Sequence, residues 1–132
     1  MVTVIFACVY NAGRSQMAAA FFNAAADPLR ARALSAGTQP AAHVHPEVIE
    51  VMREFGIDLS RAIPTRLTPE LAAGANLLIT MGCGESCPVV PGVRREDWPV
   101  EDPKGQPVDR VRAIRDAVLD RVQRFIVAHG FE

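Results

Sequence analysis

Three cysteines are too few, and odd in number, for a disulfide framework. In a chain without secretion signals they read instead as reduced thiols available for chemistry, and the cytoplasm is the expected compartment. No apolar run reaches membrane length. The first residues carry no basic stretch, and their apolar run is too short for a signal peptide. A formal net charge of −1 gives no bulk attraction to nucleic acid or to a membrane surface, so neither partner is expected. Any affinity for an anion must be local. Of the three histidines, His43 and His45 lie close together, but no neighbouring ligand completes a metal set. No metal site is expected, and both residues read as surface loop.

What is present suits one globular domain over residues 1–132, with 49% hydrophobic and 22% charged residues. Val2 to Ala7 is a continuous apolar, β-branched run, as in a central parallel strand covered on both faces. From Ser15 onward, Met17, Ala18, Phe21, Phe22 and Ala25 form a helical stripe, stopped by Asp27-Pro28. Ala31 to Leu34 reads as a second strand, left through a turn at Ser35-Ala36-Gly37. Pro46 opens a helix carrying Val48, Ile49, Met52 and Phe55 and closed by Gly56, with His45 as a loose N-cap. Thr68-Pro69-Glu70 starts a short helix that ends near Gly74.

Asn76 to Thr80 reads as a third buried strand. Gly82 to Arg95 lacks periodicity and reads as a functional loop, with Val93-Arg94 touching the sheet edge as a short fourth strand. Trp98 to Pro103 is non-helical. Val108, Val111, Ile114, Val118, Val122 and Phe125 then mark a long C-terminal helix. The strand–helix alternation implies an α/β fold with right-handed crossovers and helices on both sheet faces. Ligands in such folds sit at the carboxyl ends of strands.

At the first of those ends stands Cys8-Val9-Tyr10-Asn11-Ala12-Gly13-Arg14-Ser15. A thiol ending a strand, a short loop and a helix N-terminus place unpaired backbone N–H groups around one point. Val9, Tyr10, Asn11, Ala12 and Gly13 are the candidate oxyanion-binding amides. Arg14 adds a fork of fixed charge shaped for a tetrahedral oxyanion. Such surroundings favour the thiolate form of Cys8. The plain alternative is a buried strand-end thiol beside a solvated arginine. A second constellation, Cys83-Gly84-Glu85-Ser86-Cys87, follows the third strand. It reads as a redox pair, as half of a zinc site lacking its other ligands, or as inert thiols. Redox is favoured because the loop leaves the same sheet edge as Cys8.

Cys8 to Ser15 resembles the phosphate-binding loop of the low-molecular-weight protein tyrosine phosphatase family. Asn11 and the run Arg14-Ser15-Gln16-Met17-Ala18 are more similar to its arsenate reductase branch, and the resemblance runs through nearly the whole chain. It implies a three-layer fold with a central four-stranded parallel sheet flanked by helices, and arsenate as the substrate. It implies Cys8 as nucleophile, Ser15 as hydroxyl donor to the sulfur and Asn11 as a loop-shaping amide. Asp102, in Asp102-Pro103, corresponds to the general acid. Cys83 and Cys87 match the two later thiols that carry electrons from the nucleophile to a surface disulfide.

No bound cofactor is implied, only an external thiol reductant. Thioredoxin is the first choice. The Cys83–Cys87 spacing departs from the C-x6-C form of some thioredoxin-coupled relatives, so glutaredoxin- and mycothiol-linked systems stay open. Ala19 stands where some relatives carry a Glu of a monovalent cation site, so no such cation is expected. Near Asp-Pro the chain offers Trp98 but no tyrosine, which gives an aromatic-substrate slot little support. The resulting expectation is a cytoplasmic arsenate reductase serving arsenic detoxification. Its rivals are a phosphatase using Cys8, Arg14 and Asp102 alone, and a non-catalytic oxyanion- or metal-binding module.

Overall fold

The computed structural model describes residues 1–82 and 90–132. Four strands, β1 (Val2–Cys8), β2 (Ala31–Gly37), β3 (Leu77–Thr80) and β4 (Arg94–Asp97), pair in parallel in the order β2-β1-β3-β4. The helices are α1 (Arg14–Ala25), α2 (Pro46–Arg53), α3 (Pro69–Ala73) and α4 (Val108–His129). This is the three-layer α/β architecture expected from the sequence.

β1 is apolar at every position from Val4 to Ala7 because it is central, and all four residues are fully buried. Its side chains alternate between two cores. Val4, Phe6 and Cys8 face the larger one with α1, α2 and α4, whereas Ile5 and Ala7 face Ala72 and Leu78 on the α3 side. Phe6 packs on Phe22 and on Trp98, and Trp98 in turn meets Phe125 edge-on at 5.4 Å. The α4 stripe lies where its periodicity put it: Val111, Val118 and Val122 are fully buried and Ile114 and Phe125 nearly so. Thr68 caps α3, its hydroxyl accepting from the Leu71 N–H at 3.1 Å.

Three boundaries differ from the sequence reading. β2 does not turn at Ser35-Ala36-Gly37 but continues through them, with Cys8 opposite Gly37. Gly37 also donates to the Thr65 carbonyl and accepts from Leu67, so strand pairing continues on its other side. α2 ends at Arg53, leaving Phe55 outside the helix and 47% exposed, while Val51 takes the buried place. β4 runs Arg94–Asp97 rather than Val93-Arg94, and its sequence RRED is mostly exposed. An edge strand is held by backbone pairing and needs no apolar stripe. The Gly82–Arg95 excursion therefore ends two residues earlier, at Val93.

The sheet order places neighbours reached by opposite crossovers on either side of β1. The crevice at the carboxyl ends of β1 and β3 is thus the topological switch point. Cys8 ends β1 at that crevice.

Candidate active site

The loop from Cys8 to Gly13 is fixed from outside through its carbonyl groups. Thr38 N–H donates to the Cys8 carbonyl at 3.2 Å, Gln39 to Val9 at 2.8 Å, Ala41 to Tyr10 at 2.9 Å and His45 to Ala12 at 2.9 Å. A band running from Thr38 to His45 therefore holds the loop. Those four bonds fix the course of the loop around Cys8. At Gly13 the loop gives way to α1, whose first residues Arg14, Ser15 and Gln16 are buried.

Asn11 sets the interior of the loop. It adopts a left-handed conformation (φ 49°), which asparagine tolerates better than most residues. Its Oδ1 accepts from the Thr65 N–H at 2.9 Å and from Gln16 Nε2 at 3.2 Å, which leaves Nδ2 facing Ser15 Oγ at 2.7 Å. Ser15 Oγ lies 2.9 Å from Cys8 Sγ. Because that oxygen already accepts from Asn11, its own hydrogen is free to point at the sulfur, as stabilising a thiolate requires. Cys8, Asn11 and Ser15 are all buried.

Arg14 crosses the mouth of the crevice. Its Nη1 donates to the Val100 carbonyl at 3.1 Å, and Nη2 lies 3.7 Å from Asp102 Oδ2. The guanidinium passes so close to Gly82 that a Cβ there would sit 2.2 Å from Nη1. Glycine at the end of β3 is what admits the arginine. Gly37 has a similar function behind the loop, where a Cβ would come within 2.6 Å of the Val9 carbonyl. Asp102 faces Arg14 from the segment after β4, with its side chain 43% exposed, and buried Pro103 packs against Gly13.

The fold thus brings Cys8, Arg14, Ser15 and Asp102 together with the amides of Val9 to Gly13. Cys83 and Cys87 lie outside the described residues. Trp98, the aromatic nearest Asp-Pro, is 2% exposed and packs between Phe6 and Phe125. One histidine expectation changes. His45 is not plain surface loop. It holds the N-cap position of α2 without a side-chain capping bond, and its ring lies against Gly13. Burial holds its pKa below 6.5, against the raising fields of Asp102 and Glu47 and with smaller lowering contributions from Lys104 and Arg14.

Sequence reasoning missed the Thr38–His45 band altogether, because backbone donors in coil leave no residue signature. Gly37, closing the run Ser35-Ala36-Gly37, was the one available signal. Among the described residues no group of three or more His, Cys, Asp or Glu is placed to hold a metal. No helix among them is long and apolar enough to cross a membrane.

A buried thiol at a parallel-strand end, with a hydroxyl 2.9 Å from its sulfur and a buried arginine opening the next helix, marks an α/β protein with a thiol-centred site at its switch point. The chain belongs to the low molecular weight phosphotyrosine protein phosphatase family, whose model matches residues 3–129. It is 42% identical over 125 residues to a Halobacterium salinarum protein provisionally named an arsenate reductase, covering 89% of this chain and 85% of that one. It resembles a solved thioredoxin-dependent arsenate reductase from Corynebacterium glutamicum with TM-score 0.82 and 34% identity. That match covers 97% of this chain, which spans 61% of the solved chain's length. A solved low molecular weight protein tyrosine phosphatase from T. tengcongensis superposes with TM-score 0.86 at 26% identity, covering 97% of this chain and 99% of that one.

Proposed function

We propose that residues 1–132 act as one domain that reduces arsenate to arsenite in the cytoplasm, in arsenic detoxification. The observation that carries this reading is the cradle itself. Carbonyls tied to the Thr38–His45 band fix the loop around a buried thiol whose sulfur has a hydroxyl 2.9 Å away. The similarity to arsenate reductases supports the choice of arsenic over phosphorus as the central atom.

Arsenate docks on the Val9–Gly13 amides and Arg14. The Cys8 thiolate attacks arsenic, and one oxygen departs as water after taking a proton from Asp102. Cys83 then attacks the Cys8 sulfur. The electron pair of the S–As bond passes to arsenic, which leaves as arsenite, and a Cys8–Cys83 disulfide remains. Cys87 attacks Cys83, frees Cys8, and closes a Cys83–Cys87 disulfide that an external dithiol reduces. The reductant is thioredoxin in this reading, with glutathione/glutaredoxin and mycothiol systems as the alternatives.

The same cradle, with Cys8, Arg14 and Asp102, is also sufficient for phosphoester hydrolysis. The phosphatase from T. tengcongensis makes that the second reading. The thiols separate the two. Arsenate-dependent NADPH oxidation, driven by thioredoxin and its reductase and compared with glutathione- and mycothiol-linked systems, should give steady turnover. Cys83→Ser should stop it and spare aryl phosphate hydrolysis. Cys87→Ser should stall after about one turnover as a Cys8–Cys83 disulfide, visible by mass spectrometry after alkylation of free thiols. Full coupled turnover in both variants would end the relay and leave the phosphatase reading.

A further inference from the structure

The Asp102 side chain sits in a ring of contacts that closes through two side chains, Tyr10 and Lys104, with no part in the chemistry above. Asp102 Oδ1 accepts from the Lys104 N–H at 3.0 Å, while Oδ2 faces Arg14 Nη2 at 3.7 Å. Pro103, Lys104, Gly105 and Gln106 form a turn, closed by the Gln106 N–H donating to the Pro103 carbonyl at 3.1 Å with Gly105 at φ 72°. Lys104 occupies a corner of that turn and reaches back across the mouth. Its Nζ lies 4.5 Å from the centroid of the Tyr10 ring. Tyr10 belongs to the oxyanion loop, its carbonyl tied to Ala41. The ring of contacts therefore runs from Tyr10 to Lys104, to Asp102, to Arg14, and back into the loop.

We propose that the Tyr10–Lys104 contact is a latch that positions the Asp102 carboxyl over the Cys8 cradle. Tyr10 and Lys104 are positioning residues for proton delivery to the leaving oxygen. The physical argument is one of few tethers. Asp102 is half-exposed, and its ion pair with Arg14 is a weak hold in water. Arg14 must also turn to the oxyanion when one binds, so that hold is lost when the acid is needed. The backbone bond from Lys104 fixes Oδ1 only while the turn stays seated. The ammonium over the Tyr10 face seats the turn without touching the oxyanion. The proposal rests on the reading of Asp102 as the acid.

The test measures arsenate reduction and 4-nitrophenyl phosphate hydrolysis across pH for Lys104→Met, Lys104→Arg and Tyr10→Leu, alone and with Asp102→Asn. Lys104→Met and Tyr10→Leu should each lower kcat about three- to tenfold with KM unchanged, the size a cation–π contact gives. Lys104→Arg should restore the rate, since it keeps a cation over the aromatic face. With Asp102→Asn in place, Lys104→Met should cost nothing further, because a residue acting through Asp102 is silent without it. A rise in KM alone would make Lys104 a simple attractor of anions and overturn the latch. A further loss in the Asp102→Asn background would do the same. If the parent protein turns over the phosphate ester but not arsenate, the reductase reading fails and the ester decides the latch. If it turns over neither, both fall.

Discussion

Behind Cys8 the oxyanion loop is held by backbone. Four of its carbonyls are tied to the Thr38–His45 band, and the Asn11 amide is fixed by Thr65 and Gln16. Across the mouth, the Asp102 segment is held mainly by side chains: Arg14 to Val100 and Asp102, Lys104 over Tyr10, and Pro103 on Gly13. The difference is one of cost. Each buried backbone bond contributes about 1 kcal/mol and leaves an unpaired group if broken. The exposed tether, Lys104 over Tyr10, contributes ~0.5–1 kcal/mol and breaks into water with little penalty. One wall is preorganised before any ligand arrives, as electrostatic stabilisation of an oxyanion requires. The other can shift as a leaving oxygen is protonated and released.

The comparison breaks most visibly at Gly37. A Cβ there would lie 2.6 Å from the Val9 carbonyl and 2.8 Å from the Asn11 N. Both neighbours are backbone, so neither yields cheaply. Gly37→Ala is expected to cost about 1–3 kcal/mol of stability, as overpacking typically does, and to reduce turnover to background. Urea unfolding together with the arsenate assay would check it. A variant with unchanged stability and activity would mean that the loop is not held from behind.

Asp102→Asn probes the opposite wall and should behave in the opposite way. Turnover is expected to fall about a hundredfold, within the usual range for a lost general acid, and the basic limb of the rate–pH profile should flatten. Phosphate binding and the unfolding midpoint at pH 7.5 should stay where they were. Loss of binding with the limb preserved would move Asp102 into the structural wall.

These two walls were unequally legible in the sequence. The cradle's position could be read because an apolar β-branched run, Val2 to Ala7, must be a buried strand, and a glycine and arginine follow before a helical stripe. The α4 stripe was legible for the same reason, its burial repeating every three to four residues. The band behind the loop was not, since Thr38, Gln39, Ala41 and His45 act through N–H groups that every residue but proline possesses. β4 was placed too early because an edge strand is recruited by its partner's backbone, and RRED carries no alternation to mark it. Trp98 was read only as the aromatic nearest Asp-Pro, whereas its size filled the gap between Phe6 and Phe125. The Tyr10–Lys104 contact joins residues 94 positions apart, a closeness that only the fold supplies.

The smallest effect lies where the walls meet, at His45. Its N–H belongs to the band behind the loop, its ring touches Gly13, and the field of Asp102 reaches it from across the mouth. Its pKa is lowered from 6.5, chiefly by burial. The unfolded chain therefore binds this proton more readily than the folded one. By linkage, stability attributable to His45 is level above pH 6.5 and declines as pH falls from there toward the lower folded value. Glu54, Asp58 and Glu101, all with pKa values held below their ordinary ones by hydrogen-bonding partners, enter only at more acidic pH. Urea midpoints at pH 7.5 and pH 5.5 should thus differ more for the parent than for His45→Asn, which has no ring to protonate. Asp102→Asn should widen the parent's difference, because it removes the largest contribution that raises the His45 pKa. Equal differences in all three proteins would show that the two walls do not communicate through this ring, and His45 would then be only a spacer between α2 and the loop.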